Sequence, residues 1–225
     1  MSQFNYPAKK VTLITGAPGG GIDFATRVIA EALSARLERP VDVKNVHAES
    51  MAGVVAAAAP DGSTLLVTGK IMWLTPYLHP KVSYDPIRDF TPLTLAVRSP
   101  NILIVNADIA AHSVQDLIKL AKQAPGRFTF TSSGVGSSTY TASELFGKMA
   151  GIDIRHVDRR GNVAAVAAVA CGDVHFMFSA VTAAQDAIKT GKVRALAVGS
   201  ARRSSLFPEL PTVAESSVPG YESES

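Results

Sequence analysis

The sequence predicts an α/β fold arranged as two lobes, on three observations. Short apolar strands alternate with helical segments along most of the chain. Two of the strand-to-helix junctions are rich in glycine or serine, and Ser99-Pro100 punctuates the middle of the chain as a hinge would. With 225 residues there is enough chain for one large or two small domains with real cores.

The first junction comes early. Val11-Thr12-Leu13-Ile14-Thr15 reads as an apolar strand, Gly16-Ala17-Pro18-Gly19-Gly20-Gly21 as a turn, and the residues from Ile22 as a helix. In that helix Phe24, Val28, Ile29 and Leu33 recur at helical spacing. Consecutive glycines let the backbone approach a ligand closely and turn N–H groups toward it. The first helical turn adds unpaired N–H groups and the positive end of its dipole, so the junction suits an anion. Glu38-Arg39-Pro40 ends the helix and residues 41–45 alternate as a strand.

Residues 46–51 have no pattern, and 52–59 are small and helix-prone up to the turn Pro60-Asp61-Gly62. Residues 63–69 read as a buried strand. A proline-punctuated segment with Trp73, Pro76, Tyr77 and Tyr84-Asp85-Pro86 gives turns and one short helix. Residues 90–97 and 101–105 read as strands on either side of the expected hinge.

Ser113 is the expected N-cap of a helix bearing Val114, Leu117, Ile118 and Leu120-Ala121, stopped by Pro125-Gly126. The second junction follows: Phe128-Thr129-Phe130-Thr131 as strand, Ser132-Ser133-Gly134-Val135-Gly136-Ser137-Ser138 as turn, then a helix with Ala142, Leu145, Phe146 and Met149. Here hydroxyls supplement the backbone donors. Further strands are expected at 152–157, 174–178 and 193–198, with helices at 162–170 and 181–189, and a tail of turns from Arg202. Such alternation implies a parallel sheet with ligands at the carboxyl ends of its strands. Two anion-facing loops suggest two lobes facing one small acid, although each loop alone reads equally as a tight βα connection.

Composition excludes several classes. The chain is 47% hydrophobic with a net charge of +3, and its Lys and Arg are scattered with few aromatics among them, so nucleic acid is a poor partner. No uninterrupted apolar stretch is long enough to span a membrane, and the first residues lack a charged region followed by an apolar run, so no signal peptide is expected in the sequence as it stands. The one cysteine, Cys171, forms no intrachain disulfide and reads as a small buried hydrophobe. The first loop lacks Gly-Lys-Ser/Thr and the spaced glycines of a dinucleotide site. His47, His79, His112, His156 and His175 share no metal-ligand spacing, and Ser132 and Ser133 lie in no G-x-S-x-G turn. His156 stands apart because it ends a predicted strand on the face where the glycine loops lie. Asp158-Arg159-Arg160-Gly161, also at a strand end, offers guanidinium groups suited to a second carboxylate, or simply two solvated arginines. Anion-binding loops without an evident acid–base pair read as a binder that needs no cofactor or metal.

At these residues the sequence resembles the Bug, or TctC-like, family of periplasmic solute receptors of tripartite tricarboxylate transporters. Tyr6-Pro7, Pro18-Gly19-Gly20-Gly21-Ile22-Asp23, Ala59-Pro60-Asp61-Gly62-Ser63-Thr64-Leu65-Leu66, Tyr84-Asp85-Pro86-Ile87-Arg88-Asp89-Phe90, the 132–138 loop, Met149-Ala150-Gly151-Ile152-Asp153 and Pro208-Glu209-Leu210-Pro211-Thr212-Val213-Ala214-Glu215 carry the resemblance. It implies a periplasmic-binding-protein, or Venus-flytrap, fold: residues 1–99 as the first lobe, 100–200 as the second, and 201–225 crossing back toward the first. It also implies a non-catalytic protein delivering a small carboxylate to membrane permease subunits. The implied ligand contacts are Thr15, Ala17, Pro18, Gly19, Gly20, Gly21 and Asp23 in the first loop. In the second half they are Ser132, Ser133, Gly134, Gly136, Ser137, Ser138, Arg159, Gly161 and Ser179.

Four departures from the family pattern sharpen the expectation. Asn45 is followed by Val46-His47-Ala48-Glu49-Ser50, where the family has a glycine-rich turn. Arg159-Arg160-Gly161 replaces Tyr-Lys-Gly, adding a cation for a second carboxylate. Phe178-Ser179 replaces Phe-Asp, removing the acid that would meet an amino group. Family members continue well past Pro219-Gly220-Tyr221, so the first lobe is expected to lack its return segment and to expose apolar surface that invites dimerisation. The expected ligand is a di- or tricarboxylate. A degenerate member without ligand binding and an α/β enzyme on a phosphorylated substrate are the alternatives.

Overall fold

A computed structural model describes residue 6 and residues 10–79, 81–159 and 161–224; the N-terminal stretch read for a leader and Arg160 lie outside the described residues. The chain divides into two compact units, Met1–Val97 and Arg98–Ser225.

In the first unit a parallel three-stranded sheet runs in the order β2-β1-β3, with β1 (Val11–Thr15) at its centre between β2 (Val41–Asn45) and β3 (Thr64–Leu66). Helix α1 (Gly21–Leu37) covers one face, where Val11, Leu13 and Ala30 are buried with Ile29, Leu33, Leu37, Val41 and Val43 against them. On the other face α2 (Ala48–Ala56) and α3 (Ile71–Leu78) enclose Ala52, Met72 and Tyr84 with Leu66 and Phe90. Helices on both faces bury the central β1, whereas the edge strand β2 alternates and leaves Asp42 and Lys44 exposed.

Three expectations shift here. Phe24 and Val28 are exposed, because α1 turns the narrow residues Thr26 and Ala30 toward the sheet and lets the backbones approach. The unpatterned 46–51 stretch already contains the start of α2, whose apolar face is legible only once β1 and β3 lie beneath it. Residues 91–97 adopt no strand and are exposed, Leu93 and Leu95 included. A strand needs a partner, and among the described residues none pairs with them.

The second unit holds a five-stranded sheet in the order β6-β5-β7-β4-β8: β4 (Asn101–Asn106), β5 (Phe128–Phe130), β6 (Ile154–His156), β7 (Phe176–Ala180) and β8 (Val193–Val198). This sheet is mixed rather than parallel. β5 pairs parallel with β6 and β7, whereas β4 runs antiparallel to both β7 and β8. Every residue of β4 is buried, as a central strand covered on both faces requires.

On one face pack α4 (Val114–Gln123) and α5 (Ser138–Ala150), and on the other α6 (Asn162–Ala170) and α7 (Val181–Lys189). Cys171, just past α6, is exposed rather than buried. The tail packs on both faces, Phe207 and Leu210 on that of α6 and α7, then Val213, Val218 and Tyr221 on that of α4 and α5. After a capping box between Thr212 and Glu215, α8 (Val213–Ser216) leads to Tyr221, which stacks on Phe178 and donates its hydroxyl to Ala142 O at 2.9 Å. Residues 201–224 therefore count with the second unit.

Candidate functional site

The first glycine loop is organised by one buried carboxylate. Asp23, 5% exposed, accepts hydrogen bonds from the Gly19 N–H (3.0 Å), Arg27 Nε and Nη2 (both 3.1 Å) and Asn45 Nδ2 (2.7 Å). Asn45 Nδ2 also lies 2.6 Å from Gly16 O, tying the end of β2 to the loop. Burial alone pushes the Asp23 carboxyl up; the hydrogen bonds from Arg27, Asn45 and Gly19 outweigh it, with the Arg27 charge adding to them, and hold it below the usual value. The loop thus already carries an anion of its own on Gly19, and Asp23 is a scaffold for the turn. Gly19, with φ of 78°, adopts a conformation that other residues resist.

Thr15 is fully buried, its hydroxyl 3.2 Å from that of Thr26, which in turn donates to Ile22 O. What remains to face a ligand are the exposed Ala17-Pro18-Gly19 turn and the N–H groups of Gly20 and Gly21, where α1 begins without a side-chain cap. Asp23-x-x-x-Arg27 is a sequence signal at helical spacing for this network.

The second loop is a different construction. β5, β6 and β7 are parallel neighbours, and each is followed directly by its helix, so the starts of α5, α6 and α7 gather at the carboxyl edge of these three strands. Three helix N-termini at one edge concentrate positive potential and N–H groups there. α5 is capped by Ser137, which accepts from Tyr140 N (3.2 Å); α6, entered through Gly161, and α7, entered through Ala180, have no side-chain caps. The loops after β5 and β6 are joined by Gly161 N–H donating to Ser133 O at 3.0 Å.

Hydroxyls line this edge. Thr139 Oγ1 accepts from Ser133 N–H (3.0 Å) and lies within 3.1 Å of both Ser133 Oγ and Ser137 Oγ. Ser132 Oγ accepts from Gly134 N–H (3.2 Å) and sits 3.0 Å from His156 Nε2. Among the described residues, Oγ1 of Thr131 and Oδ1 of Asn162 are buried with no partner, at the end of β5 and in the first turn of α6. The sequence reading missed Thr131, Thr139 and Asn162; the signal for Thr139 was its place two residues past an N-cap serine. Gly134, with φ of 140°, has open space where a side chain would stand, so its backbone conformation rather than crowding selects glycine.

The remaining expected contacts are placed unevenly. Gly134, Gly136, Ser137 and Ser138 lie in the loop itself, and Gly161 at the head of α6. Ser179, fully buried at the end of β7, donates to Ala180 O. Arg159 is turned the other way: its guanidinium donates to Asp158 O at 3.0 Å and lies 3.9 Å from Asp173, which precedes β7 at the end of that strand remote from Ser179. A groove of about 610 Å³ lined by Ile118, Lys119, Lys122 and Met149 lies along the C-terminal halves of α4 and α5, opposite the helix N-termini.

Among the described residues no cluster of His, Cys, Asp and Glu could hold a metal, and no helix is long and apolar enough to cross a membrane.

Comparison with known proteins completes the picture. The profile of the tripartite tricarboxylate transporter family receptors, TctC, matches residues 25–225. A protein of Pseudomonas sp. strain P51, described as the UPF0065 protein of the tcbD-tcbE intergenic region, is 34% identical over 222 residues, covering 96% of this chain and 66% of the relative. Protein BugT of Bordetella pertussis is 32% identical, covering 98% and 70%. The chain spans about two thirds of the length of these curated relatives.

Among solved structures, Rpa4515 of R. palustris with adipate superposes with a TM-score of 0.90 at 34% identity, over 98% of this chain and 75% of that one. MatC of Rhodopseudomonas palustris with bound malate gives 0.83 at 27% identity, over 97% and 76%. The periplasmic binding protein BugD gives 0.85 at 26%, over 97% and 75%. The fold is that of the α/β periplasmic binding proteins, and the chain belongs to the TctC, or Bug, family of tripartite tricarboxylate transporter receptors.

Proposed function

We propose that this chain is a non-catalytic solute receptor that captures a small organic di- or tricarboxylate in the periplasm and delivers it to the membrane permease subunits of a tripartite tricarboxylate transporter. The observation that carries the reading is the carboxyl edge of β5, β6 and β7: three helix N-termini, two of them uncapped, with a hydroxyl cluster and the buried, unpartnered hydroxyl of Thr131. An anion there receives backbone N–H groups and hydroxyls without meeting a fixed negative side chain among the expected contacts of that loop. Related structures carry adipate and malate, both dicarboxylates, which supports the ligand class.

The contacts proposed for the anion are the N–H groups of Gly136 and Ser138, the hydroxyls of Ser132, Ser133 and Ser137, and the first turn of α6 beyond Gly161, the Gly134 and Gly161 N–H groups being held by Ser132 Oγ and Ser133 O. In the first unit Gly20 and Gly21 offer N–H groups at the head of α1, the Gly19 N–H being held by Asp23. Ser179 in place of an acid argues against a ligand ammonium group. The dimer expected from the sequence finds no support in the comparisons.

A thermal-shift titration of the chain against adipate, malate, citrate, glutamate and phosphate tests this. A ligand at a hundred times its Kd adds about 2.7 kcal/mol to stability, a clear rise in Tm. A shift with di- or tricarboxylates and none with phosphate is the expected result. No shift with any carboxylate from a cooperatively melting protein refutes the reading.

A further inference from the structure

His156 ends β6 beside the second loop, and its chemistry is not absorbed by anion capture through backbone N–H groups. Its Nε2 is 3.0 Å from Ser132 Oγ, a hydroxyl that already accepts the Gly134 N–H. Ser132 itself is fully buried. A serine hydroxyl has one hydrogen and two lone pairs. With Nε2 bare, Ser132 donates its hydrogen to the imidazole and has none to offer an anion. With a proton on Nε2, the ring becomes the donor, both lone pairs of Ser132 are filled, and its hydrogen has to find another acceptor.

We propose that His156 is a positioning residue for the Ser132 hydroxyl, and that protonation of the ring, by a proton taken from solvent, turns this hydroxyl from an imidazole donor into an anion donor. Carboxylate capture at the second loop then takes up a proton. The inference rests on the proposed function.

The surroundings set its direction. His156 is packed between Phe130 of β5, which has no charge, and Tyr140 of α5, whose ring stands nearly perpendicular to it at a centroid distance of 5.0 Å. The charges acting on it are the carboxylates of Asp158, two residues on, and Glu144 of α5. Burial holds the ring below the ordinary histidine value and those two carboxylates pull it partly back. An anion beside Ser132 adds a third negative charge and raises the value further. A group whose pKa is higher in the complex than in the free protein strengthens binding as pH falls.

The test is calorimetric titration of the full chain with adipate between about pH 8 and about pH 6, at each pH in two buffers of different protonation enthalpy. Expected are an affinity about threefold to tenfold higher at the lower pH, tenfold corresponding to one unit of coupling, and net proton uptake in the wild type. His156→Gln keeps an N–H donor for Ser132 but cannot titrate, so its affinity should not change with pH. Ser132→Ala should also be flat, and weaker at the lower pH. Binding without proton uptake, as capture by the neutral Nε2–H tautomer would give, overturns this inference alone. So does an unchanged pH slope in His156→Gln. Failure of adipate, malate and citrate to bind at either pH overturns the proposed function and this inference with it.

Discussion

Replacing Asp23 probes whether the first glycine loop is held by its own carboxylate. Asp23→Ala removes the acceptor of four hydrogen bonds. Their contributions differ. The bond from Asn45 is short, part-buried and charge-assisted, a kind worth about 1.5–3 kcal/mol. Arg27 has a 52% exposed side chain, so water replaces much of what it loses and its pair contributes about 0.5–1 kcal/mol. Gly19 is exposed, and its N–H is readily rehydrated. The whole loss is about 3 kcal/mol, concentrated on the Asn45 side.

Asp23→Asn is the sharper variant: it keeps the size, but its amide presents an NH₂ toward donors on Arg27 or Gly19, so it should cost about 2 kcal/mol or more. Trp73, the single tryptophan, lies in α3 of the same unit, so its fluorescence during urea unfolding reports on that unit. The pH dependence follows from the depressed carboxyl. Its contribution is fully present above the ordinary aspartate value and is lost as pH falls through the lower folded value. Asp23→Asn within about 0.5 kcal/mol of wild type at neutral pH, or a difference that survives undiminished at strongly acid pH, would refute the reasoning.

Other outcomes follow from the second unit. Tyr221→Phe leaves the Ala142 carbonyl without its hydroxyl donor and should cost about 1–2 kcal/mol, with faster hydrogen exchange confined to the tail around 212–224. Gly134→Ala meets no atom within 4 Å but forces a methyl onto a φ of 140°, so it should lower stability by about 1–3 kcal/mol in thermal unfolding; a neutral result would mean the loop relaxes freely. His175, stacked on Phe128 and accepting Thr129 N–H at Nδ1, is held below the ordinary histidine value by burial. The unfolded chain therefore takes up a proton first, and this stability is present above the unfolded value and lost as pH falls below it. His175→Gln should flatten the decline in Tm between about pH 7 and pH 5, even if it starts lower. Arg159→Ala should leave dicarboxylate affinity within about twofold, since its guanidinium is turned to Asp158 and Asp173; a loss of about 1.5–3 kcal/mol would show that it swings to clamp the ligand.

Much of the fold was legible because it depends on near neighbours in the chain. Helices 162–170 and 181–189 and the strand at 193–198 lie where periodicity placed them. Ser113 caps its helix through Asp116 N, three residues on, as a local pattern predicts. Both glycine- and serine-rich turns were legible too, because such residues between a strand and a helix state their backbone chemistry directly. The family was readable from a series of short segments spread along the chain, before any coordinate.

What depended on distant residues was not legible. Alternation of strands and helices says nothing of strand direction, and only the placement of β4 between β7 and β8 made the second sheet mixed. Periodicity found an apolar stripe on α1, but the sheet beneath chose Thr26 and Ala30 for the close approach and left Phe24 and Val28 outside. Asp23 is 22 residues from Asn45 and Ser132 is 24 from His156. In both pairs a polar group buried by the fold had to find a partner wherever the chain brought one. The sequence by itself determined which residues could make an anion-binding loop. Tertiary structure decided which of those donors are already spent, because burial leaves no polar group indifferent to its neighbours.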